Sequence, residues 1–331
     1  MTQPAAMVEI WRNNMLESLH LGHAVVRDSS GQVVDAWGDD AKVIYPRSSC
    51  KMLQALPLIE SGAAEAYKLS SEQLALSCAS HQGAAIHTDR VTAWLNDLGL
   101  APSDFKCGPQ KPSDTPAHEA LVRAHAKPCR VHNNCSGKHS GFLTLNQHLG
   151  GGPDYVALDH PVQKAVKEAH EEMTDEASPG HGIDGCSAPN FATSITGLAR
   201  AMAKMARPDE SVRGRASRQL VDAMRTHPDL VAGEGRACTE LMRAMDGKVA
   251  IKTGAEAVFV AILPEQGLGI AVKIDDGGTR GAEAAIAALL VKYGALDAQH
   301  PMAQKRLHGP IRNWDGLQTG HMALANGFAQ V

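Results

Sequence analysis

The 331-residue chain predicts an α/β (α+β) fold in which both chain ends build one antiparallel sheet and the middle forms an inserted helical lobe. Three observations carry this reading. Short β-prone runs occur near both ends, the middle is dominated by apolar residues at helical spacing, and no internal repeat or low-complexity tract divides the chain. One discontinuous domain over 1–331 is expected, with a sheet lobe at roughly 1–47 and 245–331 and a helical lobe at roughly 48–244.

At the N-terminal end, residues 24–27 and 32–37 are β-prone and flank Asp28-Ser-Ser-Gly31, a hairpin signal. Toward the other end, 248–252, 257–263 and 269–274 are short apolar segments. Gly254 and Pro264-Glu-Gln-Gly267 separate them, which predicts a meander, and a helix is expected over 279–293. Between the ends, apolar residues near 3.6-residue spacing predict helices over 48–61, 71–79, 87–98, 116–125, 139–148, 161–173, 192–206 and 211–224. Met202, Met205, Met242 and Met245 fall at helical spacing and read as core.

A net charge of −4 with 21% charged residues gives no electrostatic footprint for nucleic acid or acidic membranes. Only 4% of residues are aromatic, too few for base-stacking platforms. The stretch MTQPAAMVEIWRNN lacks the pattern of a signal peptide, and the most apolar run, 284–291, is too short to span a bilayer. A soluble, cytoplasmic protein acting on a small molecule is expected. Its seven cysteines, an odd number, would then be reduced and available as thiols, thiolates or metal ligands.

The first chemistry-bearing segment is Arg47-Ser48-Ser-Cys-Lys51. Helical residues three apart share a face, so Lys51 is placed to take the proton of Ser48, provided that burial favours its neutral amine. The spacing alone is weak, because Ser103-Asp-Phe-Lys106 repeats it by chance. Lys252-Thr-Gly254, at the end of a predicted strand, adds to it, since serine–lysine acyl-transfer enzymes place such a strand beside the nucleophile. In Cys78-Ala-Ser80-His-Gln82, Ser80 and His81 read either as caps of a helix end or as a second hydroxyl for proton transfer. The densest polar cluster is His132-Asn-Asn134-Cys135-Ser-Gly-Lys138-His139, and Cys186 lies in a glycine-rich loop after Asp184. Two cysteines and a third donor such as His139 would suit zinc, although no CxxC or HxxxH spacing is present.

With these strings assembled, the sequence resembles the class 3, rhizobial-type L-asparaginases. The resemblance rests on Tyr45-Pro-Arg-Ser-Ser-Cys-Lys51, Cys78-Ala-Ser-His-Gln82, His132-Asn-Asn-Cys-Ser-Gly-Lys-His139, Asp184-Gly-Cys186 and Lys252-Thr-Gly-Ala-Glu256. It implies a fold like that of serine β-lactamases and glutaminases, usually as a homodimer. It implies two catalytic pairs, Ser48–Lys51 and Ser80–Lys252, and a zinc ion held by Cys135, Lys138 and Cys186. Lys138 thereby replaces the His139 that spacing favours. Arg47, Asn134, His139, Asp184 and Glu256 are implied around the substrate. Ala257 departs from the glycine expected there. The implied reaction is hydrolysis of L-asparagine to L-aspartate and ammonia through a serine acyl-enzyme. A glutaminase or β-lactam hydrolase on the same scaffold, and a zinc-binding protein without catalysis, are the alternatives.

Overall fold

The computed structural model describes residues 3–330. The fold is mixed α/β, with an antiparallel sheet built from both ends of the chain. Two compact units can be distinguished. The first comprises Met1–Ser49, Thr193–Arg207 and Glu240–Val331, and the second comprises Cys50–Ala192 and Pro208–Thr239.

The first unit is organised on an eight-stranded sheet. From edge to edge its order is Pro310–Arg312, Gln318–Leu324, Ala5–Arg12, Met15–Asp28, Leu268–Ile274, Val258–Leu263 and Ala250–Gly254, with Val33–Trp37 also pairing on Met15–Asp28. The expected hairpin and meander are present, in antiparallel register such as Ala24↔Trp37 and Val272↔Phe259. Every residue of Val258–Leu263 is buried, so both faces of the sheet are covered along this strand. Helices Ile195–Ala206 and Thr279–Lys292 pack on these strands. Gly269 explains why the first of them belongs here despite its place in mid-sequence. A Cβ at 269 would run into the backbone of Ala199 and Ala203, so glycine lets helix and strand touch backbone to backbone.

The second unit is helical and is centred on Lys51–Glu60, whose residues Lys51 to Leu58 are all buried. A helix buried on all sides needs apolar neighbours all round. Helices Pro161–Thr174, Val212–Thr226 and Ser136–Leu149 supply them. Helix Ser136–Leu149 also crosses Ser71–Ser77 at two glycines four residues apart. A Cβ at Gly137 would strike the Leu76 carbonyl, and one at Gly141 would lie 3.3 Å from the Ser77 Cβ. That close crossing fixes where Lys138 and His139 stand relative to the turn after Ser77.

Three local differences from the sequence reading affect the site. The segment expected as one helix over 48–61 begins as a 3-10 turn, Arg47–Cys50, and becomes α-helical at Lys51. The helix expected from 139 begins at Ser136, with Cys135 as its N-cap residue. Helix Ser71–Ser77 ends at Cys78, so Ser80 and His81 do not cap it; the Ser80 amide instead donates to the Val231 carbonyl at 2.9 Å. Among the described residues, no helix is long and apolar enough to cross a membrane. Met202, Met205, Met242 and Met245 are buried.

Candidate active site

In the first unit, the turn carrying Ser48 is backbone-constrained. Arg47 occupies the left-handed region at φ 59°, which costs a non-glycine residue roughly 1–2 kcal/mol. The Ser48 and Ser49 amides both donate to the Pro46 carbonyl, at 2.9 and 3.2 Å. Ser48 is partly accessible, whereas Ser49 is buried with its hydroxyl on the same carbonyl at 2.8 Å. The end of strand Ala250–Gly254 lies against this turn. A Cβ at Gly254 would stand 2.6 Å from the Pro46 oxygen and 3.1 Å from the Ser49 nitrogen, so the approach requires glycine. Lys252 on the same strand is fully buried, and its Nζ donates to the Thr253 carbonyl at 2.9 Å.

The turn that follows holds Glu256 and Ala257, at φ 58° and 57°. Glu256 is exposed. Lys273 Nζ donates to the Glu256 carbonyl, and to that of Ile274 at 2.8 Å, tying the turn to the neighbouring strand. Strained backbone therefore occurs on both sides of this close approach, as it often does at working sites.

In the second unit, Lys51 is fully buried and its Nζ donates to the Ala79 carbonyl, to Ser80 Oγ at 3.0 Å and to Cys135 Sγ at 3.1 Å. Ser80 thus takes a hydrogen bond from Lys51, the lysine that spacing assigns to Ser48. Cys135 Sγ also lies 3.1 Å from Asn134 Oδ1. One turn further along the helix, Lys138 Nζ lies 3.0 Å from Cys186 Sγ and over the Phe142 ring, 5.2 Å from its centroid.

Cys186 is the hub of this cluster. Its hydrogen bond from the Cys135 thiol, and the Lys138 ammonium beside it, hold its thiol well below the ordinary range. The same hydrogen bond, together with burial, pushes Cys135 up. Burial disfavours the Lys138 charge, but the sulfurs of Cys186 and Cys135 outweigh it and raise that lysine. Asp184 adds its charge to the same field, and Ser187, at φ 70°, turns the chain just after Cys186. His139 is fully buried; its Nδ1 bonds the Tyr155 hydroxyl at 2.7 Å, and its other face is turned to Cys186. Among the described residues, no group of three or more His, Cys, Asp or Glu side chains forms a metal site by itself.

The L-asparaginase II family profile matches residues 8–324. The chain belongs to that family. It is therefore an amidohydrolase of the asparaginase type, with a small-molecule substrate. No curated protein matches the sequence. Solved structures similar to this family member include a β-lactamase from Mycobacterium bovis, at 14% identity over 82% of this chain and 94% of that one, with a TM-score of 0.44. The protein Mglu in its native form is 12% identical over 89% of this chain and 69% of that one, with a TM-score of 0.48. A penicillin-binding protein homologue from Pyrococcus abyssi, described as octameric, is 12% identical over 93% and 84%, with a TM-score of 0.37.

The asparaginase-family residues expected from sequence fall into two sets. Lys51, Ser80, Asn134, Cys135, Lys138, His139, Asp184 and Cys186 lie in the second unit. Arg47, Ser48, Lys252 and Glu256 lie in the first. Sequence reasoning missed Tyr155, whose ring is fully buried and whose hydroxyl accepts from the Lys106 amide at 2.8 Å. The only signal available was a lone tyrosine after the glycine-rich loop at 150–153, which does not separate a surface ring from a buried one. Cys50 and Cys107 were also passed over. Burial pushes both thiols up to about 12, so they serve as small apolar groups beside the cluster.

Proposed function

We propose that this protein is an L-asparaginase, hydrolysing L-asparagine to L-aspartate and ammonia through a serine acyl-enzyme. The observation that carries the reading is a fully buried lysine, Lys51, hydrogen-bonded to Ser80 Oγ at 3.0 Å in a chain of the L-asparaginase II family. A buried amine beside a hydroxyl is the arrangement that proton transfer to and from serine requires.

In the proposed reaction, Ser48 Oγ attacks the side-chain amide carbon of asparagine while Lys51, three residues on, accepts the hydroxyl proton. The amide nitrogen receives a proton by way of Ser80 Oγ, the C–N bond breaks, and ammonia leaves. Lys252 then takes a proton from water, which attacks the β-aspartyl ester, and passes that proton to the departing Ser48 Oγ, so that aspartate is released and Ser48 is restored. Arg47, Asn134, His139, Asp184 and Glu256 are assigned to substrate binding.

The donor set supports a zinc ion held by Cys135, Lys138 and Cys186. Two sulfurs and the Lys138 nitrogen lie together in a buried cluster, a set that suits zinc once binding has displaced the lysine and thiol protons. When bound, zinc would supply positive charge for holding substrate. Metal analysis is expected to find zinc in the wild type and to find it lost from Cys186→Ser.

An asparagine-like electrophile, with the adduct located by peptide mass spectrometry, tests the division of labour between the serines. The label is expected on Ser48, and a label on Ser80 would reassign the nucleophile.

A further inference from the structure

Spacing along the helix favours His139 as the ligand beside Cys135, yet the proposed metal set takes Lys138. The hydrogen bonds around His139 account for this. Tyr155 is buried, and burial raises its phenol well above its ordinary value, so it keeps its proton. Its oxygen already accepts the Lys106 amide at 2.8 Å. Its remaining partner is His139 Nδ1 at 2.7 Å. If Nδ1 carried a proton and donated it, the phenolic hydrogen would be left without an acceptor in a dry environment, which costs the full desolvation of that hydroxyl. The phenol therefore donates, and Nδ1 accepts.

A neutral imidazole that accepts at one nitrogen carries its proton on the other. His139 Nε2 is buried without an ordinary hydrogen-bond partner and faces the sulfur of Cys186. The hydrogen bonds at Nδ1 thus set the tautomer of the whole ring. Edge-on packing by Phe105, Phe142 and Tyr155, at centroid distances of 6.3, 5.8 and 5.6 Å, holds the ring in this orientation.

We infer that Tyr155 is a positioning residue that locks His139 as the Nε2–H tautomer, making it a proton donor toward Cys186 and leaving no lone pair for a metal. The tautomer assignment stands on hydrogen bonding alone; its consequence for ligand choice rests on the zinc reading above.

The test uses the full chain with ¹⁵N-labelled histidine, as wild type, as Tyr155→Phe and as His139→Gln, the last to assign the signal. Each is recorded without metal and with one equivalent of zinc. Long-range ¹H–¹⁵N correlations distinguish the two tautomers and a metal-bound nitrogen. Wild-type His139 is expected as Nε2–H in both conditions. In Tyr155→Phe, the Nδ1–H form is expected to rise from a trace to a comparable share, and added zinc is expected to shift Nε2 to the metal-bound position. A wild-type His139 that is Nδ1–H or bound through Nε2 would overturn the inference, even if the variant did not fold. A Tyr155→Phe spectrum identical to wild type in both conditions would also overturn it. Zinc binding to neither protein would remove the metal reading while the metal-free spectra still decided the role of Tyr155.

Discussion

Lys51 has no access to solvent and three hydrogen-bond acceptors, one of them a serine hydroxyl. A lysine is taken out of water at a cost of several kcal/mol unless partners compensate, so such a placement points to use in proton transfer. Lys51→Met keeps the length and apolar stem but removes the amine. It is expected to lower kcat by at least ~10²-fold, the range for loss of a general base. Steady-state ammonia release decides this, and a variant retaining more than a tenth of wild-type kcat would contradict the role of Lys51. The strings containing Ser48, Lys51, Ser80 and Lys252 were legible in the sequence because their chemistry is local. The Lys51–Ser80 bond was not, because it joins positions 29 residues apart that only the folded chain brings together. Tyr155 was illegible for the same reason: only folding shows that its hydroxyl has one amide and one imidazole to satisfy.

At the scale of elements, the strand Ala250–Gly254 and the turn after it can be tested by a pair of substitutions with opposite effects. Gly254→Ala places a Cβ against the backbone of Pro46 and Ser49, neither of which is a flexible side chain. The strand and the Ser48 turn must then separate, so kcat is expected to fall while the protein remains folded, as circular dichroism and steady-state kinetics would show. An unchanged kcat would mean that the close approach does not set the geometry of Ser48. Ala257→Gly relieves a left-handed alanine at φ 57° and is expected to stabilise the fold by about 1 kcal/mol. Thermal unfolding checks the sign; a lower midpoint would show that the methyl contributes more through packing than it costs through strain. The long helices and the C-terminal meander were visible as periodic apolar patterns. Strands Ala5–Arg12, Pro310–Arg312 and Gln318–Leu324 were not anticipated. They lie toward one edge of the sheet and are partly exposed, so they lack the continuous apolar run that marks a buried strand.

For the molecule as a whole, several buried histidines set the response to acid. Burial lowers His81, His87 and His170, the last to about 4. A histidine whose folded value is depressed takes up its proton more readily when unfolded. Between the unfolded value of about 6.5 and the folded value, the unfolded state therefore binds more protons, and stability falls as pH falls. The contribution of His170 is fully present above pH about 6.5 and is lost progressively down to about 4. Urea unfolding across this range is expected to show a steep acid slope in the wild type. In His170→Gln the slope should be shallower by up to about 1.4 kcal/mol per pH unit, the value for one proton. An identical slope would place the acid sensitivity elsewhere. The sequence showed that the chain ends share a sheet, because strand patterns mark both ends. It did not show that Thr193–Arg207 clusters with them, since that membership depends on the contact of Gly269 with Ala199 and Ala203.

The most direct test of the account is ammonia release by the purified, zinc-supplemented protein from L-asparagine, L-glutamine and, by absorbance, a chromogenic cephalosporin, comparing wild type with Ser48→Ala. Asparagine is expected to be the substrate that wild type turns over most efficiently, with turnover lost in Ser48→Ala. Preference for glutamine or the cephalosporin, no wild-type turnover of asparagine, or an undiminished rate in Ser48→Ala would contradict it.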